Sequence, residues 1–178
     1  LGHPVLLDPV GAGASKLRTE TAKELVEKLN ISVIRGNISE IKALALGSNS
    51  TKGVDADALD AVTEDTVDNA IAFAREFSEK SGAIIVITGA IDLVVDCEKA
   101  YVIRNGNAMM SKITGTGCML SSIMTAFAVA NKDNMTDACA AAVCAMGLAG
   151  ERAHKKLGDG GNATYRTLII DELYNMTP

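Results

Sequence analysis

Short apolar runs followed by polar, glycine-bearing segments constrain the fold of this chain more than any other feature. Residues 4–7, 31–34 and 83–87 are almost entirely apolar, and the first two runs lead into a polar segment and then a helical pattern. Apolar runs of this length are typical of strands that are buried on both faces. Strands that alternate with helices predict an α/β fold, with a mostly parallel central sheet flanked by helices.

The remaining patterns predict how this sheet ends. Residues 92–96 and 100–104 read as two further strands, and the turn signal Asn-Gly-Asn follows at 105–107. This meander predicts an antiparallel edge. Residues 164–170 are expected to form another strand, with a last helical turn at 171–175. No linker or repeat divides the chain, so residues 1–178 are interpreted as a single α/β domain.

The charge balance and the cysteines narrow the range of partners. The chain has 178 residues, 17 Lys and Arg against 22 Asp and Glu, and a net charge of -5 at pH 7. This balance argues against nucleic acid or an anionic membrane surface as the main partner. No stretch is apolar enough to predict a membrane span. The four cysteines form neither a CxxC pair nor a zinc-site spacing, which fits a reducing, cytoplasmic location.

The segment 113–120, Ile-Thr-Gly-Thr-Gly-Cys-Met-Leu, lies at a junction between a loop and a predicted helix. A helix N-terminus carries unpaired N–H groups and positive partial charge, so Gly115, Thr116 and Gly117 could form an anion site. Cys118 would stand in the first turn, where a thiolate is stabilised and can accept a proton. The simpler interpretation is a tight turn with a structural cysteine.

Polar side chains follow the predicted strands at their carboxyl ends, where open α/β sheets bind ligands. Asp8, Arg35 and Thr88 each follow an apolar run, and Glu40 lies near the start of the next helix. Asp8 and Glu40 could hold Mg²⁺ directly or through water, and a guanidinium such as that of Arg35 suits phosphate. The alternatives are an Asp8 that caps its turn, and surface ion pairing by Arg35 and Glu40.

Together these groups predict chemistry on a magnesium-bound nucleotide. Phosphoryl transfer depends on positioning, a metal ion and charge stabilisation rather than on covalent catalysis. The two common nucleotide-binding motifs, GxxxxGK[ST] and GxGxxG, are absent from the sequence. Their absence disfavours the P-loop NTPases and the dinucleotide-binding dehydrogenases.

Five segments carry a resemblance to one known family. They are Asp-Pro-Val-Gly-Ala-Gly-Ala at 8–14, Arg-Gly-Asn-Ile-Ser-Glu at 35–40, Lys-Gly-Val-Asp at 52–55, Ile-Thr-Gly at 87–89 and Thr-Gly-Thr-Gly-Cys at 114–118. In this order they resemble the hydroxyethylthiazole kinases of the ribokinase-like superfamily. The resemblance implies a cytoplasmic homotrimer that uses ATP and Mg²⁺ to phosphorylate the hydroxyethyl group of 4-methyl-5-(2-hydroxyethyl)thiazole in thiamine salvage.

The resemblance also implies roles for the residues of the glycine turn. Gly115 would contact the thiazole alcohol, and Gly115, Thr116 and Gly117 would form the anion hole for the transferred phosphoryl group. Cys118 would be the catalytic base. A cysteine at this position is typical of the thiazole kinases, whereas most ribokinase-like enzymes have an aspartate there.

At the strand ends, the resemblance implies that Arg35 and Thr88 bind ATP and that Asp8 and Glu40 organise the Mg²⁺ shell. The family commonly has an acidic residue directly after the Thr-Gly pair, where this chain has Ala90. Any metal role of that position is therefore expected to be lost or moved.

Two further interpretations stay open from the sequence. Leu-Gly-His-Pro at 1–4 looks like the end of a helix, so upstream residues that carry much of the thiazole pocket are expected to be missing. The chain could then be a non-catalytic nucleotide-binding fragment. It could also be another ribokinase-like enzyme, such as a hydroxymethylpyrimidine kinase or a nucleotide-dependent NAD(P)H-hydrate dehydratase, although the dehydratases keep an aspartate where this chain has Cys118.

Overall fold

A computed structural model describes residues 2–46 and 61–176; the family-like segment 52–55 lies outside the described residues. In the described part of the chain, no helix has both the length and the apolar content needed to cross a membrane. Two short 3-10 helices occur among the described residues, at Ala108–Lys112 and Lys132–Asn134. The strands and α-helices are β1 (Leu6–Leu7), α1 (Lys16–Lys28), β2 (Val33–Asn37), α2 (Ile38–Ala45), α3 (Val67–Ser81), β3 (Ile84–Thr88), β4 (Asp92–Val95), β5 (Ala100–Ile103), α4 (Thr116–Ala130), α5 (Met135–Lys156) and α6 (Asn162–Tyr174).

The five described strands form one mixed sheet in the order β1-β2-β3-β4-β5. β1, β2 and β3 are parallel, and β4 and β5 complete the sheet as antiparallel strands. This arrangement confirms the predicted α/β fold with an antiparallel edge. The carboxyl ends of the three parallel strands meet at one edge of the sheet, which is where the polar residues of the sequence motifs lie.

Alternate residues of the strands pack into two separate cores. Ile34 and Ile85 pack with residues of α1, α2 and α3 on one face of the sheet. Val33 and Val86 pack with residues of α4, α5 and α6 on the other face. Both faces are covered by helices, so adjacent strand positions must both be apolar. This explains why the strands appear in the sequence as continuous apolar runs.

The predicted strand at 164–170 is wrong, because these residues lie within helix α6. The buried residues of α6 are Tyr165, Ile169 and Glu172, and their spacing of four and three residues marks one face of a helix. The Tyr165 hydroxyl donates to the Gly150 carbonyl at 2.8 Å, and Lys156 pairs with Glu172. Packing against α5 therefore decides the conformation of a segment whose local composition also suits a strand.

Candidate active site

Four polar side chains lie on the face of the sheet that α4, α5 and α6 cover. Asp8, Arg35 and Thr88 each come two residues after an apolar side chain of the second core, and Asp92 comes two residues before one. Side chains two residues apart along a strand point to the same face. β1 to β4 are neighbours in that order, so these side chains form a row across the sheet.

Arg35 lies at the centre of this row. Its Nη1 donates to Asp8 Oδ2 at 3.1 Å, and its Nη2 donates to Thr88 Oγ1 at 2.9 Å. The Arg35 side chain is 12% exposed and that of Asp8 is 16% exposed. The Nε atom of Arg35 is buried and has no hydrogen-bond partner among the described residues. A buried donor without a partner is uncommon, and it leaves the guanidinium able to bind a further acceptor after a small movement.

The start of helix α4 packs directly on Arg35. A Cβ atom added to Gly117 would lie 2.7 Å from Arg35 Nη1, so only glycine allows this approach. One turn further along the helix, the Ser121 hydroxyl donates to Asp8 Oδ2 at 2.7 Å. The structure thus brings the glycine turn together with Asp8, Arg35 and Thr88, as the sequence predicted.

The N-terminus of α4 is open toward this cluster. Its N-cap residue, Gly115, has a φ of 98° and offers no side chain to cap the helix. The N–H groups of Thr116, Gly117 and Cys118 belong to the first turn and have no partner within the helix. Cys118 is exposed. The turn can therefore bind an anion beside Arg35, with a thiol in the same turn.

Glu40 has a structural role that its sequence context also suggests. Asn37 and Glu40 form a capping box at the start of α2, and Glu40 Oε2 accepts from the Asn37 N–H at 2.9 Å. Oε1 of Glu40 accepts from the Gly11 N–H at 2.9 Å. Glu40 thereby ties the loop that follows β1 to the end of β2. The Asn-x-x-Glu spacing is the sequence signal for such a box.

The carboxylates of Asp8 and Glu40 suit Mg²⁺ through its water ligands rather than by direct coordination alone. Among residues 2–46 and 61–176, no cluster of three His, Cys, Asp or Glu side chains could hold a metal ion by itself. Each carboxylate already accepts hydrogen bonds from the protein. An ionised carboxylate has about four acceptor positions, and Mg²⁺ usually keeps several water ligands. Both side chains therefore suit contacts to the water shell of a nucleotide-bound ion.

A cavity of about 530 Å³ extends from Arg35 between the sheet and helices α4 and α5. Arg35, Thr88 and Gly117 line its polar end. The rest of the lining combines apolar side chains and glycine backbone with the polar residues Asn107, Ser111 and Thr116, and Ala90 contributes no acidic group. The residues of this second part include Met110, Leu120, Val143, Met146, Ala108 and the glycines at 106 and 147.

Asp92 also lines the cavity, and the sequence reasoning did not select it. Burial raises the pKa of its carboxyl to about 6, against the opposing effects of the Gly89 N–H, which donates at 2.9 Å, and of the Arg35 charge. A carboxyl with a raised pKa inside a cleft is a candidate functional group. The sequence does carry a signal for Asp92, because it is an acidic residue at the first position of an otherwise apolar strand.

Glycines of α5 shape the far side of the cavity. A Cβ atom on Gly147 would lie 2.6 Å from the side chain of Asn105, whose amide donates to the Cys144 carbonyl at 2.8 Å. A Cβ atom on Gly150 would overlap Met110. These close approaches hold the segment after β5 against α5, which positions the backbone that lines the cavity.

The fold and this cluster at the strand ends define the class of protein. A ribokinase-like superfamily protein of Enterococcus faecalis has the same fold, with a TM-score of 0.61 and 17% identity over 98% of this chain and 54% of the other. This chain therefore has a ribokinase-like fold.

Within that class, the chain belongs to the hydroxyethylthiazole kinase family, whose sequence profile matches residues 1–178. A hydroxyethylthiazole kinase of Clostridium acetobutylicum is 59% identical over 177 residues, which cover 99% of this chain and 65% of that relative. The structure of the hydroxyethylthiazole kinase protein from Pyrococcus horikoshii matches with a TM-score of 0.82 and 27% identity, over 98% of this chain and 61% of the other. The chain thus spans less than two thirds of the length of these relatives.

Proposed function

We propose that the protein transfers a phosphoryl group from ATP to the hydroxyethyl group of 4-methyl-5-(2-hydroxyethyl)thiazole, a reaction of thiamine salvage. The observation that carries this proposal is the open N-terminus of α4, which packs on Arg35 through Gly117. Membership of the hydroxyethylthiazole kinase family supports the choice of substrate.

The cluster at the strand ends suits the binding of ATP. Arg35 and Thr88 face the polar end of the cavity, where they would hold the phosphates. The N–H groups of Thr116 and Gly117 would bind the transferred phosphoryl group as an anion hole, with Gly115 beside the thiazole alcohol. Donors fixed before the reaction stabilise developing negative charge without reorganisation, which is the main catalytic requirement of phosphoryl transfer.

Cys118 is proposed as the catalytic base. It is the third residue of α4, and its side chain is exposed at the helix end that would bind the phosphoryl group. The sulfur of Cys118 would take the proton of the alcohol while the alcohol oxygen bonds to the γ-phosphorus of ATP and the bond from that phosphorus to the oxygen of the leaving ADP breaks.

Asp8 and Glu40 are proposed to hold Mg²⁺ through its water ligands. The ion would neutralise charge on the ATP phosphates. Asp8 also fixes the direction of the Arg35 guanidinium through the 3.1 Å ion pair. Glu40 keeps the loop after β1 in place through the Gly11 N–H.

A substrate panel tests this proposal with the purified full-length protein, ATP and Mg²⁺. Phosphorylated product, measured by mass spectrometry, is expected with the thiazole alcohol. Turnover with a hydroxymethylpyrimidine, or repair of a hydrated nicotinamide cofactor, without turnover of the thiazole alcohol would assign a different ribokinase-like activity. Binding of ATP with no turnover of any acceptor would support a non-catalytic nucleotide-binding role.

The assembly and the location of the protein are further parts of the proposal. The family resemblance supports a homotrimer, which sedimentation analysis of the full-length protein tests. A cytoplasmic location is supported by the cysteines, because all four are unpaired thiols.

A further inference from the structure

Asp92 occupies an intermediate position in the cavity. On one side, its carboxylate accepts from the N–H of Gly89, which directly follows the proposed phosphate ligand Thr88. On the other side lies helix α5, where burial first and then the Asp92 charge raise the pKa of the Cys144 thiol. Cys144 is adjacent to Val143, a residue of the apolar cavity lining. Asp92 is therefore near both Arg35, whose charge acts on its carboxyl, and helix α5.

The two ends of the cavity suit the two ends of a nucleotide. Phosphates belong at Arg35, Thr88 and Gly117, because the donors are there. An aromatic base belongs against the apolar side chains of α4 and α5, such as Leu120 and Met146. The sugar of a nucleotide bound in this way must pass the middle of the cavity.

The chemistry of Asp92 suits a sugar at this point. It is the only acidic residue among the described residues that line the cavity. A carboxylate accepts several hydrogen bonds and donates none when ionised, so it pairs with hydroxyl groups and not with phosphates. One of its oxygens, Oδ1, accepts from the Gly89 N–H, which fixes the orientation of the carboxylate.

Repulsion of the phosphates by this carboxylate is limited by the structure. Arg35 attracts the Asp92 charge and would bind the phosphates itself. A buried carboxylate is costly to keep ionised, and its retention in a ligand cavity indicates a use for it.

We propose that Asp92 accepts hydrogen bonds from the ribose hydroxyls of the bound nucleotide and so selects ribonucleotides over deoxyribonucleotides. This inference rests on the proposed use of ATP. It assigns the sugar-binding side chain, which determines specificity toward the phosphoryl donor.

The test compares the dissociation constants of ATP, 2′-deoxy-ATP and 3′-deoxy-ATP by calorimetry with the full-length protein and Mg²⁺. A hydrogen bond to a charged group predicts that at least one deoxynucleotide binds about tenfold or more weakly than ATP. In Asp92→Asn and Asp92→Ala, the affinity for ATP is expected to fall to that of the discriminated deoxynucleotide. The affinity for that deoxynucleotide should stay the same. Asp133→Asn, the same charge change at an exposed site, should keep the discrimination.

The outcomes separate the inference from the proposed function. Equal affinities of the unaltered protein for all three nucleotides would overturn the ribose contact and leave ATP use intact. Discrimination that persists in both Asp92 variants would also overturn it. No binding of any of the three would overturn the proposed function itself. Circular dichroism checks folding, and Asp92→Asn, which keeps the size of the side chain, decides the matter if the alanine variant does not fold.

Discussion

At the scale of single residues, Arg35 connects the parts of the site. Its guanidinium bonds to Asp8 and Thr88 and lies against Gly117, so three separate segments depend on one side chain. The pair with Asp8 is largely buried, and a buried charge left without its partner is strongly destabilising. The alternative interpretation of Arg35, as part of a surface ion pair, is therefore wrong about the surface, although the residue does form an ion pair.

Replacing Cys118 with alanine tests the base at the residue scale. Loss of a general base lowers kcat by about 10²- to 10⁴-fold, and the dissociation constant of ATP should not change because the backbone of the turn is kept. Steady-state kinetics and calorimetry measure the two quantities. Cys97→Ala, an exposed thiol in the β4–β5 turn, is the matched control and should keep full turnover. Unchanged turnover of Cys118→Ala would show that another group takes the proton.

Replacing Asp92 with asparagine tests the cost of its buried charge. The folded-state pKa is raised from 3.8 to about 6, so ionised Asp92 lowers the free energy of unfolding above pH 6, and this penalty fades as the pH falls toward 3.8. Asp92→Asn should therefore raise the free energy of unfolding by about 1–3 kcal/mol at pH 7.5. Near pH 4 the difference should almost vanish.

Urea denaturation of both proteins at the two pH values measures this effect. A stabilisation that is the same at pH 7.5 and pH 4 would show that the carboxyl ionises as easily in the folded protein as in the unfolded chain.

At the scale of secondary-structure elements, helix α4 and the strands it covers build the site together. The helix begins at a glycine with positive φ, continues with a glycine against Arg35, and bonds to Asp8 through Ser121. The first glycine meets the positive φ, the second leaves room for Arg35, and the serine supplies a hydroxyl. The helix N-terminus is thereby brought to the carboxyl ends of the parallel strands.

Gly117→Ala separates helix stability from ligand binding. Alanine is favoured over glycine in a helix interior by up to about 1 kcal/mol, so the helix itself should not be weakened. The added Cβ would lie 2.7 Å from Arg35 Nη1, however, and must displace the guanidinium. We expect a loss of ATP affinity of about tenfold or more, since a charge-assisted contact is disturbed.

The matched control is Ser122→Ala, an exposed position of the same helix. It should leave the ATP dissociation constant unchanged in the same calorimetric experiment. If Gly117→Ala also binds ATP normally, Arg35 does not need its present position to hold the phosphates.

At the scale of the whole molecule, the sheet separates two cores. The layer of α4, α5 and α6 covers the face that carries Arg35 and Thr88, and α6 contributes Tyr165 and Ile169 to its centre. Both side chains are fully buried. Helix α6 does not line the cavity, so its contribution is to keep α5 in place.

The neighbours Ile169 and Ile170 offer a matched test of this core. Ile169→Ala removes a fully buried side chain and should lower the free energy of unfolding by about 2–5 kcal/mol. Ile170 is 47% exposed, and Ile170→Ala should change the free energy of unfolding by at most about 1 kcal/mol. Urea denaturation measures both, and equal effects would contradict the helical register of α6.

Much of the site was predictable because its residues follow strands or precede helices. Asp8, Arg35 and Thr88 end apolar runs, and the glycine turn precedes a helix, so their positions follow from local patterns. Glu40 was predictable as a polar residue of the same region, but its capping box with Asn37 gives it a structural task that the metal hypothesis had not included. Asp92 was missed because the sequence analysis selected polar residues at the carboxyl ends of strands, whereas Asp92 is the first residue of β4.

The sequence by itself determined the alternation of strands and helices, the place of the glycine turn and the family, because these depend on residues close together along the chain. Only the tertiary structure decided that residues 164–170 are helical, that Asp92 lines the cavity and that Ser121 bonds to Asp8. The last contact joins residues separated by 113 positions. Such contacts depend on how helices pack on the sheet, and packing is set by the shape of the whole core rather than by any local pattern.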